Sequence, residues 1–278
     1  MNYFERARIY RAKKRLGQNF LIDGSAIDTI LETADIQPDE TVVEIGAGLG
    51  FVTEQLVKYA KKVVAIELDE DMVRELKKID ADNLEIVHAD ILKTDISQFG
   101  KNIKIVANIP YYITSPILAH LLGEVDDLDN KNRQAISKIV MMTQLEAAQR
   151  ITANEKSEGK AYGLLTNMAN FNAIPEMVKF VGSWSLFPAQ NVNSAIIKFE
   201  VRNEPLLKLS DYSFFKRVAK ACFGTRRKNL KNSLLNGGFS KDAIQKALSA
   251  LNIPETIRGE TLSIEEIGEL SEKLKEVL

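Results

Sequence analysis

The sequence has a single cysteine, Cys222, and two histidines, His88 and His120, in 278 residues. One cysteine cannot form a disulfide within the chain, which fits a reducing compartment, and inside a helical pattern it reads as a small apolar filler. With no cluster of cysteine and histidine, the expected chemistry uses no metal. No apolar run approaches the roughly 20 residues that cross a bilayer. The first fifteen residues are basic but lack the apolar stretch of a secretory signal. These absences together lead us to expect a cytoplasmic protein with no membrane partner. Net charge is scarce as well, since 37 Lys and Arg against 38 Asp and Glu leave −1.

That balance conceals an asymmetry. Residues 1–15 carry Arg6, Arg8, Arg11, Lys13, Lys14 and Arg15 against Glu5 alone. Residues 205–235 carry Lys208, Lys216, Arg217, Lys220, Arg226, Arg227, Lys228 and Lys231 against Asp211 alone. Two basic segments in an otherwise acidic chain suggest a surface for a polyanion, or equally a pair of solvated helix faces.

Short β-branched runs alternate with amphipathic segments through most of the chain. Strands are expected at Thr41–Ile45, Lys62–Glu67, Leu84–His88, Ile103–Ala107, Lys138–Met142, Met177–Val181 and Ala195–Val201, with helical segments such as Phe51–Tyr59, Asp71–Ile79 and Pro116–Leu122 between them. The alternation predicts a parallel α/β sheet covered on both faces. Only residues 182–194 separate the last two strands, too few for a crossover helix, so these strands should close the sheet as an antiparallel hairpin. Seven strands ending this way describe a Rossmann-like class I methyltransferase sheet. After Arg202 only helical patterns remain: Tyr212–Cys222, Arg226–Leu235, Lys241–Leu251 and Ile264–Val277, the last two preceded by Ser240 and Ser263 at N-cap positions. The chain therefore divides into a domain over residues 1–204 and a small all-helical domain over residues 205–278.

The stretch Glu44-Ile-Gly-Ala-Gly-Leu-Gly50 follows the first strong strand and opens a helix. Glycines such as Gly46 and Gly48 permit a tight turn and close approach of a ligand to the backbone. Dinucleotide sites use Gly-x-Gly-x-x-Gly to seat pyrophosphate on a helix N-terminus. The spacing here differs and suits S-adenosylmethionine, which has no phosphate. At the end of the second strand, Glu67 or Asp69 could accept from ribose hydroxyls, although Asp69 is better explained as a helix N-cap. At the end of the third, Asp90 can accept from an adenine amino group and Ile91 can offer an apolar edge. His88 reads as strand-end packing.

The fourth strand runs into Asn108-Ile-Pro-Tyr111. An adenine N6 is a poor nucleophile because its lone pair is delocalised into the ring. The Asn108 side-chain carbonyl and the Pro110 backbone carbonyl could accept its two hydrogens and localise that lone pair. Tyr111 could stack on an extruded base and hold it for in-line attack. Tyr112 reads either as site wall or as core.

With these residues in view, the chain resembles the KsgA-type ribosomal RNA adenine dimethyltransferases. Lys14-Arg-Leu-Gly-Gln-Asn-Phe-Leu-Ile-Asp23 resembles the N-terminal signature of that family, and the motifs from Glu44 to Tyr111 follow in its order. The resemblance implies a segment that folds over S-adenosylmethionine and contacts it through Asn19 and Leu21, beside Gly46, Gly48, Glu67, Asp90, Ile91 and Asn108. It implies catalysis by Asn108, Pro110 and Tyr111 on two adjacent adenines near the 3′ end of small-subunit ribosomal RNA. Phe223-Gly-Thr-Arg-Arg-Lys-Asn-Leu230 resembles the family's RNA-binding helices, which implies contacts from Arg226, Arg227 and Lys228. The implied partner is small-subunit RNA or an immature small subunit, met by a monomer.

Two departures stand out. Leu186-Phe-Pro-Ala-Gln-Asn-Val-Asn-Ser194 replaces Phe-x-Pro-x-Pro and Val-Asp-Ser, so the second stacking partner of the base is Leu186 or Phe187. Leu145 stands where a lysine is common. Macrolide-resistance methyltransferases of large-subunit RNA share the Asn-Ile-Pro-Tyr motif and often Val-Asn-Ser, and make the nearest alternative. A ribosome-assembly factor acting mainly by binding is another. A nicotinamide-dependent oxidoreductase is disfavoured by the glycine spacing.

Overall fold

The structure, a computed structural model, describes residues 2–157, 163–224 and 228–278. Its centre is a seven-stranded sheet. In chain order the strands are β1 (Phe20–Leu21), β2 (Thr41–Ile45), β3 (Lys62–Glu67), β4 (Leu84–His88), β5 (Ile103–Asn108), β6 (Ile136–Gln144), β7 (Ala173–Val181), β8 (Leu186–Phe187) and β9 (Ser194–Val201). The large sheet runs β4-β3-β2-β5-β6-β9-β7, while β1 and β8 form a separate two-stranded ribbon. Pairs from β4 to β6 are parallel; β9 lies antiparallel to both β6 and β7. The closing antiparallel hairpin expected from the short 182–194 link is present.

The central strands are apolar on both faces because both faces are covered, as a parallel sheet requires. Val42, Val43, Val63, Val64, Ile103 and Ile105 are fully buried. On one face they meet a helix, Gly24–Ala34, whose Ala26, Ile27, Ile30 and Ala34 are buried and whose N-terminus is capped by the Asp23 carboxylate.

Element ends differ from expectation for identifiable reasons. Strand β7 begins four residues before Met177 because Pro175, a strand breaker in general, sits on an edge strand that pairs only with β9. The expected helix 51–59 is regular only over Thr53–Leu56, and beyond it Lys58 and Tyr59 donate to carbonyls three residues back rather than four.

Two compact units result. The first comprises residues 1–123, 129–149 and 173–203; the second comprises 124–128, 150–172 and 204–278. The second has its own core around Phe215, Leu230, Ile244 and Ile267. Two segments upstream of residue 205 belong to it: Phe171 stacks on Phe215 with centroids 5.6 Å apart, and Asp126 takes the Lys216 ammonium at 2.6 Å. Ser240 and Ser263 cap their helices as expected, Ser263 in a reciprocal box with Glu266. Cys222 is buried in this core, and burial pushes its thiol up to about 12. No helix among the described residues is long and apolar enough to cross a membrane, and no group of His, Cys, Asp and Glu among them could hold a metal ion.

Candidate active site

A cavity of about 370 Å³ opens at the carboxyl ends of β2, β3, β4 and β5, within the first unit. Register brings these ends level: Ile45 pairs with Ile66 and Ala107, and Glu67 pairs with His88. The N-terminal segment Leu16–Leu21 supplies a further wall, held by the β1–β8 ribbon and by two contacts to Asp69, from Lys13 Nζ and Gln18 Nε2, both at 2.5 Å. Gly17 is required here twice over. Its φ of +61° is left-handed, and a Cβ on it would lie 2.8 Å from the Cβ of Pro110.

Asn19, Leu21, Gly46, Gly48, Glu67, Asp90, Ile91, Asn108, Pro110 and Tyr111 all line this one cavity. At Gly46 (φ +73°) a Cβ would press to 3.3 Å from the Asn108 carbonyl oxygen, so the turn after β2 and the end of β5 need a glycine to meet. The two acids after β3 separate cleanly. Glu67 faces the cavity, its Oε2 accepting from Gly48 N and its Oε1 from Leu68 and Asp69 N, each at 2.8 Å. Asp69 caps the helix Glu70–Leu76 and anchors the N-terminal segment. Burial opposes its charge, but bonds from Lys13, Gln18 and the Asp71 N–H hold its carboxyl below the usual range. Asp90 accepts from Leu92 N at 3.0 Å through Oδ1. His88 bonds the Leu68 carbonyl and His120 that of Thr94, both structural contacts.

The electrostatics of the cavity select a kind of ligand. Glu44, Glu67 and Asp90 line it, and no Lys, Arg or His among the described residues does. Glu44, given no role by its motif alone, is 4% exposed, and burial raises its carboxyl to about 8, with Thr53 donating to it and Glu67 adding repulsion. Burial raises Glu67 too, against the three N–H bonds. Burial disfavours the charge of Glu44 and Glu67, and a cationic ligand would offset that penalty, so this wall favours a positively charged ligand over a pyrophosphate.

In the tetrapeptide, Asn108 ends β5 and its backbone pairs beside Met142. The Pro110 carbonyl accepts from Ile113 N at 3.2 Å and keeps one lone pair. The Tyr111 ring packs on the core, and its hydroxyl is bonded to the hydroxyl of Ser194, a fully buried residue at the start of β9. Sequence reasoning saw Ser194 only as part of a motif; the partner lies 83 residues away. Leu186 lines the cavity, whereas Phe187 turns away to meet Phe4 edge to face at 5.6 Å.

The basic segments are unequal. Arg6 pairs with Glu54 and Lys13 with Asp69 and Asp71, while Arg8, Arg11, Lys14 and Arg15 are exposed. In the second segment Lys208, Lys216 and Lys231 are paired with acids and Arg217 lies over Phe239. Lys228 is exposed; Arg226 and Arg227 lie outside the described residues.

The family model described as ribosomal RNA adenine dimethylase matches residues 9–276. The chain belongs to that family. Curated relatives named ribosomal RNA small subunit methyltransferase A include one from Bacillus licheniformis, 40% identical over 96% of this chain and 92% of that one. Another, from Clostridium botulinum, is 37% identical over 97% and 96%. Among solved structures, a dimethyladenosine transferase from Plasmodium falciparum matches with a TM-score of 0.74 and 27% identity, covering 89% of this chain and 94% of that one. The 23S rRNA methyltransferase ErmE matches at 0.70 and 28%, covering 92% and 99%. Membership in the rRNA adenine dimethylase family accounts for the order of motifs around the cavity and for the α/β sheet that carries them.

Proposed function

We propose that this family member transfers methyl groups from S-adenosylmethionine to N6 of two adjacent adenines near the 3′ end of small-subunit ribosomal RNA, as a cytoplasmic monomer acting in subunit maturation. One observation carries the reading: an acid-walled cavity of cofactor size, lined by no basic residue among those described, shares its lining with Asn108, Pro110 and Tyr111. The small-subunit substrate draws support from relatives of that name at 37% and 40% identity, against 28% for the large-subunit enzyme.

Bound there, S-adenosylmethionine supplies a methyl group on positively charged sulfur. Glu67 would accept from the ribose hydroxyls, Asp90 from the adenine amino group, and Ile91 would pack on the ring. Gly46 and Gly48 would let the amino-acid tail approach the backbone, and Asn19 and Leu21 would close over it. Asn108 and Pro110 would accept the hydrogens of the target N6, and Tyr111 would hold the base flat. The Tyr111 hydroxyl, pushed up by burial, stays protonated and serves as no base. None is needed, because the alkylated amine is acidic enough to release its proton afterward.

Residues 1–204 would hold the chemistry and residues 205–278 would bind RNA, through Arg226, Arg227 and Lys228. Neutralising those three should weaken RNA binding and flatten its salt dependence by up to about 0.9 in slope per lost phosphate contact. S-adenosylmethionine affinity, measured by calorimetry, should not change.

The deciding experiment incubates the purified protein with S-adenosylmethionine and RNA of each subunit and maps dimethyladenine by primer extension. Stops at two adjacent adenines in small-subunit RNA are expected. A stop in large-subunit RNA alone would make it an enzyme of the macrolide-resistance type, and RNA binding without methylation an assembly factor. A further expectation concerns pH. If the ionised Glu67 holds the ribose, cofactor affinity should fall as pH drops through its raised pKa, and Glu67→Gln should weaken that dependence, leaving the part due to Glu44.

A further inference from the structure

Tyr112 is the residue of the tetrapeptide's turn that neither core nor proposed chemistry absorbs. Tyr112 is 67% exposed, the most of any aromatic residue of the first unit except Trp184, and yet it lies at the cavity. Tyr111 and Tyr112 follow each other on one turn, Tyr111–Ile113, so one ring faces inward and the next stands at the rim. The rim position is shared with the N-terminal segment: a Cβ on Gly17 would come within 3.1 Å of Tyr112 Cε1. Gly17 ends the turn that carries Lys14 and Arg15, its N–H bonded to the Lys14 carbonyl. Both cations are exposed and enter no ion pair among the described residues, whereas Arg6 and Lys13 are used to fasten the same segment down.

Extruding a base from a strand leaves the neighbouring base with one stacking face bare, and the cost falls if an aromatic ring takes that face. An exposed ring at the cavity mouth, next to the N-terminal turn that carries two exposed cations, is suited to this. We infer that Tyr112 seats the nucleotide flanking the target adenine, stacking on the face that extrusion exposes, while Lys14 and Arg15 hold the adjoining phosphates. The inference rests on the RNA substrate proposed above and extends it from the target base to its neighbour.

The test is a two-by-two comparison of methyl transfer, read as kcat/KM. One axis is the wild type against Tyr112→Ala; the other is a small-subunit 3′ RNA fragment, with methylation read at one adenine of the pair, against copies abasic immediately 5′ or immediately 3′ of that adenine. With intact RNA, Tyr112→Ala should lose about tenfold, the order of one base–aromatic stack, and Tyr112→Phe should lose little. With RNA abasic on one side the wild type should fall equally and Tyr112→Ala should lose nothing more. An equal tenfold defect on both abasic RNAs would mean that the ring acts on the cavity or its wall, and would overturn the inference. So would full activity of Tyr112→Ala. In binding titrations, Lys14→Gln with Arg15→Gln should reduce the salt slope by about 1.4, near 0.7 per single-strand phosphate, and Tyr112→Ala should leave the slope unchanged. An unaltered slope in the double variant would remove the two cations. Wild-type protein that methylates neither the intact fragment nor an immature small subunit overturns the proposed substrate itself, a result distinct from all of these.

Discussion

Asn108→Ala should cut turnover by about 10² to 10³-fold, the range seen when one preorganised polar group is removed from a reacting centre, while RNA affinity changes by only a few-fold. The asymmetry follows from what the side chain is asked to do. Its carbonyl contributes most when N6 approaches the methyl group, and so acts on the transition state rather than on binding. Its position is well determined: β5 pairs with β2 and β6 on either side, and the turn at Gly46 comes so near that a Cβ there would lie 3.3 Å from the Asn108 backbone carbonyl oxygen. Truncating the side chain therefore leaves the turn in place and removes only the acceptor. Single-turnover kinetics beside RNA titration separate the two quantities. A variant whose loss lies wholly in RNA affinity would show that Asn108 binds and does not activate. One that methylates normally would remove it from the site.

Tyr111 should show the second large effect, and its two substitutions should part company. Tyr111→Ala removes the ring, worth roughly 1–3 kcal/mol as a stacking surface, and with it the angle of attack, so most activity is lost. Tyr111→Phe keeps the ring but strands the buried hydroxyl of Ser194, with which the tyrosine hydroxyl is bonded. Leaving a buried polar group without its partner costs about 1–3 kcal/mol, whereas removing both partners is close to neutral. Tyr111→Phe should therefore melt at lower temperature while keeping activity within about tenfold of the wild type. Adding Ser194→Ala to it should restore much of the stability. If Tyr111→Phe is as inactive as Tyr111→Ala while both stay folded, the hydroxyl has a chemical role and the stacking account fails. If Ser194→Ala does not restore the Phe variant, the bond between β9 and the turn is not what places the ring.

Much of this was legible along the chain because the signals were local. The β-branched runs, the glycines after β2, the acids ending β3 and β4 and the tetrapeptide ending β5 each declare themselves within a few residues. A parallel sheet then lines up strand ends by register, so motifs at successive carboxyl ends must converge. The choice between Glu67 and Asp69 was nearly readable, since Asp69 stands where a cap belongs. Glu44 was visible as a letter in a motif, but its character was not. A carboxyl near 8 reflects the exclusion of water by everything folded around it.

The remainder concerned contacts between distant segments. Pairing of two-residue strands so far apart in the chain, Phe20 with Phe187 and Leu21 with Leu186, has no periodic pattern to announce it, yet it holds the N-terminal wall of the cavity. The same ribbon decides which of two adjacent apolar side chains lines the site, because neighbours on a strand point to opposite faces. Residues 150–172 precede the change of texture after Arg202, so the sequence reading groups them with the first domain. Packing of Phe171 on Phe215 assigns them to the second. Nor could charge alone distinguish anchors from free cations. Arg6 and Lys13 look like Lys14 and Arg15 in sequence and differ only in what the fold places beside them. The sequence by itself determined the chemistry available at each strand end, since side-chain type and strand order are written in it. Tertiary structure decided which of those groups share a cavity, which are tied up elsewhere and which are dry, because burial and partners belong to the folded arrangement and not to any residue.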